Sequence, residues 1–176
     1  MRTSQIIAAS DHVILRRLDP SDFDIFDAYR RDPEVAKYQS WDEMNPERTR
    51  SFLQHSKTVT PLVQPHSWTQ IAVARNEGTL VGDMGWFLSE DSTQFELGIT
   101  IARQNQRKGY AREAMNLALR WAFERQKVKK VICGAHPDNT PSLNMIRALG
   151  FSWSHQEEGD EMFEMSPKMF RLLTQK

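Results

Sequence analysis

Apolar positions recur with two different periods along the chain. Val13-Ile14-Leu15-Arg16-Arg17-Leu18 reads as a short strand. Asp19-Pro20-Ser21-Asp22 follows; Asp19 can accept from backbone amides as a cap, and Pro20 suits a first helical position because it lacks an amide. Phe23, Phe26 and Tyr29/Arg30 then recur at helical spacing until Asp32-Pro33 ends the segment. Asn45-Pro46 repeats the cap-and-proline start before a helix carrying Phe52 and Leu53. Residues 56–67 hold two prolines and little periodicity, which predicts a loop.

The middle of the chain changes period. Trp68 to Ala74, Leu80 to Leu88 and Phe95 to Ile101 read as three consecutive strands joined by Asn76-Glu77-Gly78 and Glu90-Asp91-Ser92-Thr93, an antiparallel meander. Residues 107–126 switch to helix, with Ala111, Ala114, Met115, Ala118, Trp121 and Ala122 on one stripe and Arg112, Asn116, Arg120 and Glu124 opposite. Val131 to Ala135 is a non-alternating apolar run, which fits a strand covered on both faces. A short helix capped by Thr140, opened by Pro141 and ended at Gly150 comes next. Phe151 to Gln156 and Met162 to Met165 form a last hairpin. The order β-α-α-β-β-β-α-β-α-β-β predicts an α/β chain on a mixed sheet.

Charge and composition narrow the function classes. The 176 residues hold 23 Lys+Arg and 23 Asp+Glu, a net charge of +0, which removes the usual footprint of a nucleic-acid binder. A hydrophobic content of 39% argues against wholesale disorder. No apolar run approaches the roughly 18 residues a membrane helix needs, and Met1 to Ile7 lack the apolar core of a secretory signal. The single cysteine, Cys133, allows no internal disulfide; between Ile132 and Gly134 it reads as a small core residue rather than a nucleophile. His12, His55, His66, His136 and His155 show no metal-ligand spacing. The expectation is one cytoplasmic domain over residues 1–176, with no metal, membrane or nucleic-acid partner.

The chemically informative stretch is Gln106-Arg107-Lys108-Gly109-Tyr110-Ala111, between a strand and a long amphipathic helix. A helix start exposes unpaired amides and the positive end of a dipole, and a glycine there leaves a phosphate room to approach. Arg103, Arg107, Lys108 and Arg112 add four cations with no acid among them. Such a group suits a pyrophosphate, although an ordinary tight loop would use the same glycine. Neither a P-loop nor a dinucleotide-binding glycine pattern is present.

Gln106-x-x-Gly109-x-Ala111 resembles the acetyl-coenzyme A signature of the GNAT superfamily of N-acetyltransferases. Glu96-Leu97-Gly98-Ile99 is similar to the Glu-Ile-Gly-Tyr strand of its RimJ/RimL-like branch, and Asn139-Thr140-Pro141-Ser142 with Ala148-Leu149-Gly150-Phe151 to that branch's Asn-x-x-Ser…Leu-Gly-Phe segment. Val13-Leu15-Arg16 and Asp19-x-x-Asp22 resemble its opening, so the likeness spans roughly residues 12–165. It implies the GNAT fold: a mixed, mostly antiparallel sheet of six to seven strands, helices on both faces, and a splayed strand pair holding the coenzyme. The implied activity is acetyl transfer from acetyl-CoA to an amine by direct attack, in a monomer or homodimer. The acceptor is a protein N-terminal amine or a small molecule such as an aminoglycoside, a polyamine or an amino-acid-like amine. A coenzyme-binding module without turnover is the alternative of a different class.

The same resemblance assigns residues. The amides of Arg107, Lys108, Gly109, Tyr110 and Ala111 would hold the coenzyme, with Gln106, Asn139, Ile99 and Ile101 beside it; the Ile99 amide falls where the family polarises the thioester carbonyl. Asn139 is otherwise a turn residue before a helix. An amine arrives mostly protonated, so a base is needed. Glu96, among Phe95, Leu97 and Ile99, is the candidate, unless it is a solvent-facing strand residue. Many relatives place a tyrosine acid four residues before the glycine of Leu-Gly-Phe; here Ile146 stands there and cannot donate. Ser142 is the nearest hydroxyl, with a supporting role at the helix start, or water as the donor, as equal alternatives. For the acceptor, Tyr38, Trp41, Asp42 and Glu43 join aromatic faces to carboxylates, and Glu157, Glu158, Asp160, Glu161 and Glu164 add acids.

Overall fold

The computed structural model of the protein describes residues 5–39, 41 and 44–175. Eight strands form one sheet: β1 (Ile6–Ala9), β2 (Val13–Arg17), β3 (Ser67–Arg75), β4 (Leu80–Leu88), β5 (Gln94–Ile101), β6 (Lys130–Ala135), β7 (Ser152–Glu157) and β8 (Asp160–Met165). Their order is β1-β2-β3-β4-β5-β6-β8-β7, and only the β5–β6 pairing is parallel. The helices are α1 (Phe23–Arg30), α2 (Pro33–Ala36), α3 (Pro46–Thr58), α4 (Tyr110–Arg120), α5 (Thr140–Ala148) and α6 (Pro167–Thr174). No helix among the described residues is long and apolar enough to cross a membrane.

Helices cover both faces. On one, Ala114, Met115 and Ala118 of α4 pack with Val13, Leu15, Val73, Trp86, Phe95 and Leu97. On the other, Phe26 and Tyr29 of α1 and Leu53 of α3 pack against Leu18, Ala72 and Leu80. The caps follow from local chemistry. Asp19 accepts from the Ser21 amide while Asp22 accepts from the Asp19 amide, and Asn45 accepts from the Arg48 amide.

Several expectations are corrected. The sheet has eight strands rather than six or seven, because Ile6–Ala9 pairs antiparallel with β2 at one edge. Asp32-Pro33 ends α1 but at once starts α2: Asp32 is extended, as a residue before proline prefers, and its carboxylate accepts from the Glu34 amide. Helix α3 runs to Thr58, shortening the expected loop. Residues 107–126 are not one helix, since Arg107 (φ 62°) and Gly109 (φ 87°) are left-handed. The helix begins at Tyr110 and widens into a π-helical turn over Trp121–Gln126. The α5 cap is Asn139, not Thr140; its side chain accepts from the Ser142 amide at 3.3 Å. Helix α6 was not expected, although Ser166-Pro167 starts it as Asn45-Pro46 starts α3.

Candidate active site

The site grows out of the one parallel pairing. β5 and β6 are in register only at Gln94↔Lys130, Phe95↔Val131 and Glu96↔Ile132. Beyond Glu96, β5 stays with β4 through Ile101, while β6 stays with β8 through Ala135. The two strands therefore open into a V at their carboxyl ends, where open α/β sheets place their ligands. The Ala102 amide donates to the Val81 carbonyl at 2.9 Å. Antiparallel alternation then bonds Thr100 and Gly98 to β4 and turns the N–H groups of Ile99 and Ile101 into the V.

At the end of β5 the chain makes a short 3₁₀ turn (Arg103–Asn105) and reaches the start of α4. Gln106 ties this loop down, donating from Nε2 to the Ile101 carbonyl at 3.0 Å. Among the described residues the amides of Arg107 to Arg112 have no backbone acceptor. An added Cβ on Gly109 would meet nothing within 4 Å. Arg103, Arg107, Lys108 and Arg112 are all exposed around this point. Glu113, in the first turn of α4, is occupied by Ser10 Oγ (2.7 Å) and His12 Nδ1 (2.9 Å) rather than by the cations. Unpaired amides, a side-chain-free approach and four cations fit a pyrophosphate.

Glu96 occupies the last paired position of β5, at the apex of the V. It is half-buried, and its carboxyl is pushed above its ordinary range, first by burial and second by the Glu157 carboxylate. Its same-face neighbours are Phe87 on β4 and Ile132 on β6. Phe95 and Leu97 belong to the opposite, α4-covered face, so burial of Glu96 does not come from them. Cys133 is buried in that core, and burial followed by the Glu96 charge pushes its thiol far up, which makes it a core residue. Asn139 and Ser142 stand at the start of α5, across the V from β5; Ser142 is half-buried. Ile146 is in the core at 3% exposure.

The two aromatic candidates are not brought together. The Tyr38 hydroxyl donates to the Asp138 carbonyl at 3.4 Å, and its ring stacks on His136 at 5.3 Å, just past the end of β6. Trp41 lies apart, under the Arg30 guanidinium at 3.9 Å, so one face of the indole already carries a cation. Asp42 and Glu43 lie outside the described residues. Glu164 is paired with Lys130 at 3.2 Å, and Glu161 accepts from Trp153 and Gln156. Among the described residues no three His, Cys, Asp or Glu side chains gather as a metal site.

Two features had escaped the sequence. A cleft of about 540 Å³ opens between α1, α3 and β3, lined by Arg30, Trp41, Met44, Glu47, Phe52 and Gln70 among others. Beside it Tyr29 and Arg30 both donate to the buried Asp83 carboxylate. The one available signal was Gln70, a polar residue just before the apolar run Ile71–Ala74.

An open strand pair beside an anion-ready helix start makes this an α/β protein with a place for a phosphate-bearing ligand. The family model described as acetyltransferase (GNAT) domain matches residues 12–152, and the chain belongs to that family of acetyl-CoA-dependent N-acetyltransferases. It is 24% identical over 152 residues to the uncharacterized N-acetyltransferase p20 of Bacillus licheniformis, covering 85% of this chain and 82% of that one. A GNAT-family acetyltransferase from Bacillus anthracis superposes with a TM-score of 0.79 at 20% identity, over 92% of this chain and 98% of that one. A spermidine N-acetyltransferase from Vibrio cholerae, solved with CoA and spermine, gives 0.77 at 15% identity, over 92% and 99%. Both structural likenesses support the fold.

Proposed function

We propose that residues 1–176 act as one cytoplasmic acetyltransferase domain that acetylates protein N-terminal α-amines, in the manner of the RimJ/RimL-like branch. The observation that carries this reading is Glu96, a half-buried carboxylate at the apex of the V. An α-amine titrates near about 8 and an aliphatic amine near about 10, so at neutral pH the first supplies far more neutral nucleophile to a carboxylate base. Bound acetyl-CoA supplies the activated acetyl group. The amides of Arg107 to Ala111 hold its pyrophosphate, with Gln106 fixing the loop and Asn139 fixing the opposite wall. The Ile99 N–H, turned into the V, faces the carbonyl to be polarised, and Ile101 lines the same edge. Glu96 takes the proton from the attacking amine, and Ser142 gives one to the departing thiolate. Tyr38, stacked on His136 past the end of β6, and Trp41, in the cleft between α1, α3 and β3, border the acceptor side from two separate places.

A polyamine acceptor is the second reading, favoured by the acids Glu157, Glu158, Asp160 and Glu161 at the β7–β8 turn. Thiol release from acetyl-CoA decides between them. Peptides with N-terminal Ser or Ala, spermidine, aminoglycosides and free amino acids are offered in turn, with a no-acceptor control. Sustained release with the peptides is expected. Release with spermidine alone overturns the α-amine reading.

Two substitutions test the donor side. Gly109→Ala places a side chain at φ 87°, a strain of about 1–2 kcal/mol, and puts a methyl where a phosphate would approach the amides. Loss of charge-assisted hydrogen bonds should raise the KM for acetyl-CoA about 10- to 100-fold; an unchanged KM removes the helix start from donor binding. Ser142→Ala should lower kcat by at most about 10²-fold, since a thiol leaves well, with acetyl-CoA affinity unchanged. Retained kcat assigns that proton to water.

A further inference from the structure

Three rows of residues face the acceptor side of the sheet. Register pairs Trp68 with Phe87 and Phe87 with Glu96 in the first row. The second row is Gln70, Gly85 and Gly98, and the third is Ala72, Asp83 and Thr100. The second row thus has no side chain except that of Gln70. An added Cβ on Gly98 would meet nothing within 4 Å, so the floor beside Glu96 is open. At Gly85 it would meet the Trp68 ring at 3.0 Å, and that ring with Phe87, 5.3 Å away, forms a wall. The open floor therefore runs from Glu96 over Gly98 and ends at Gly85, where the Trp68 ring and the Gln70 carboxamide, whose Nε2 lies 3.4 Å from that added Cβ, close over the backbone; Gln70 also lines the cleft.

The Gln70 carboxamide has no hydrogen-bond partner among the described residues, and its Oε1 is buried. Arg30, lining the same cleft, holds a second buried unpartnered atom, the donor Nε. Buried polar atoms in folded proteins are almost always bonded, so such a pair calls for an explanation. A carboxamide offers one acceptor and one donor side by side, the complement of a peptide group. A protonated polyamine offers donors only and would leave Gln70 Nε2 and Arg30 Nε unmatched.

We propose that Gln70 is a specificity-determining residue that hydrogen-bonds a backbone amide of a peptide acceptor, two to three residues from the reacting amine. The spacing follows from the sheet. Gln70 is two strands and one same-face step from Glu96, about 12 Å between Cα atoms. An extended chain covers that at roughly 3.3–3.6 Å per residue once the reach of both side chains is subtracted. This inference rests on the α-amine reading above and adds how the peptide is gripped.

The test compares wild type with Gln70→Leu on the peptide Ser-Ala-Ala-Ala-amide, on its analogues with single backbone esters, and on spermidine. Peptide affinity is also measured by calorimetry on protein saturated with CoA. Gln70→Leu should raise KM and the peptide dissociation constant about tenfold, with kcat and acetyl-CoA affinity unchanged. One ester position should cost wild type a similar factor and cost Gln70→Leu nothing further. Peptide turnover with unaltered KM in Gln70→Leu overturns this inference and leaves the α-amine reading standing. An equal loss on spermidine overturns it too, because the effect is then not amide recognition. No peptide turnover by wild type overturns both.

Discussion

Glu96→Gln is expected to lower kcat by about 10²- to 10⁴-fold at neutral pH and to leave the fold at least as stable. Glutamine keeps the shape and cannot accept the proton of an attacking amine. The stability arm follows from the direction of the shift. The Glu96 carboxyl titrates above its ordinary 4.5 because burial, then Glu157, disfavours its charge. A folded pKa above the unfolded one means the native state holds the proton more tightly. The group therefore costs stability as pH rises from the unfolded pKa to the folded pKa, and the full cost persists above it. Glutamine removes that cost. The wild-type kcat/KM should rise with pH through the same window, as the base loses its proton, and this limb should vanish in the variant. Unchanged turnover takes Glu96 out of the mechanism. Lost turnover with a matching fall in Tm makes it a structural residue.

Asp83→Ala should be the most destabilising polar substitution, at about 3–5 kcal/mol. Asp83 is 2% exposed, accepts from the Tyr29 hydroxyl at 2.6 Å and is ion-paired with Arg30, itself 7% exposed. Removing the carboxylate leaves a buried guanidinium without its counter-charge. It also unlinks α1 from β4. For a chain of this size the loss corresponds to a fall in Tm of roughly 6–20 °C. Pairing it with Arg30→Met removes the orphaned charge and should recover most of the loss. Burial also pushes the Tyr29 hydroxyl far above its usual range, with Asp83 adding to this, so it stays a donor throughout. A Tm change of under 2 °C in Asp83→Ala refutes this account.

What could be read from the sequence was whatever local chemistry dictates. The cap-and-proline starts at Asp19-Pro20 and Asn45-Pro46 and the apolar stripe of α4 all hold. The same grammar at Asp32-Pro33 and Ser166-Pro167 was equally present, and α2 and α6 were nonetheless missed. Helix α2 has four residues and buries only Val35, so periodicity had almost nothing to register there; α6 did carry a legible apolar set, Met169, Phe170, Leu172 and Leu173, although only Phe170 of these is buried. β1 is four residues long and half-exposed at an edge, which gives no alternation to detect. The α4 start was misplaced because Arg107 takes a left-handed φ that side chains rarely adopt. Within the site, Glu96, Gln106 and Gly109 were legible as a motif, whereas Gln70 and Asp83 were not. Their positions depend on pairing across β3, β4 and β5, and on α1 folding over them, which no local window contains. Trp41 was visible as an aromatic, but Arg30 occupying its face was not.

The divergence of β5 from β6 has a consequence for association. An unpaired strand margin normally recruits other chains and invites aggregation. Here the margin formed by Ile99 and Ile101 is interior, walled on its far side by β6, β8 and β7. A foreign strand arriving with its side chains would need that wall to move aside. A slender, flexible molecule carrying amide groups would not. The geometry thus makes the sheet an incomplete ladder that can take a small ligand as its missing rung without offering an outer edge on which another chain's strand could pair.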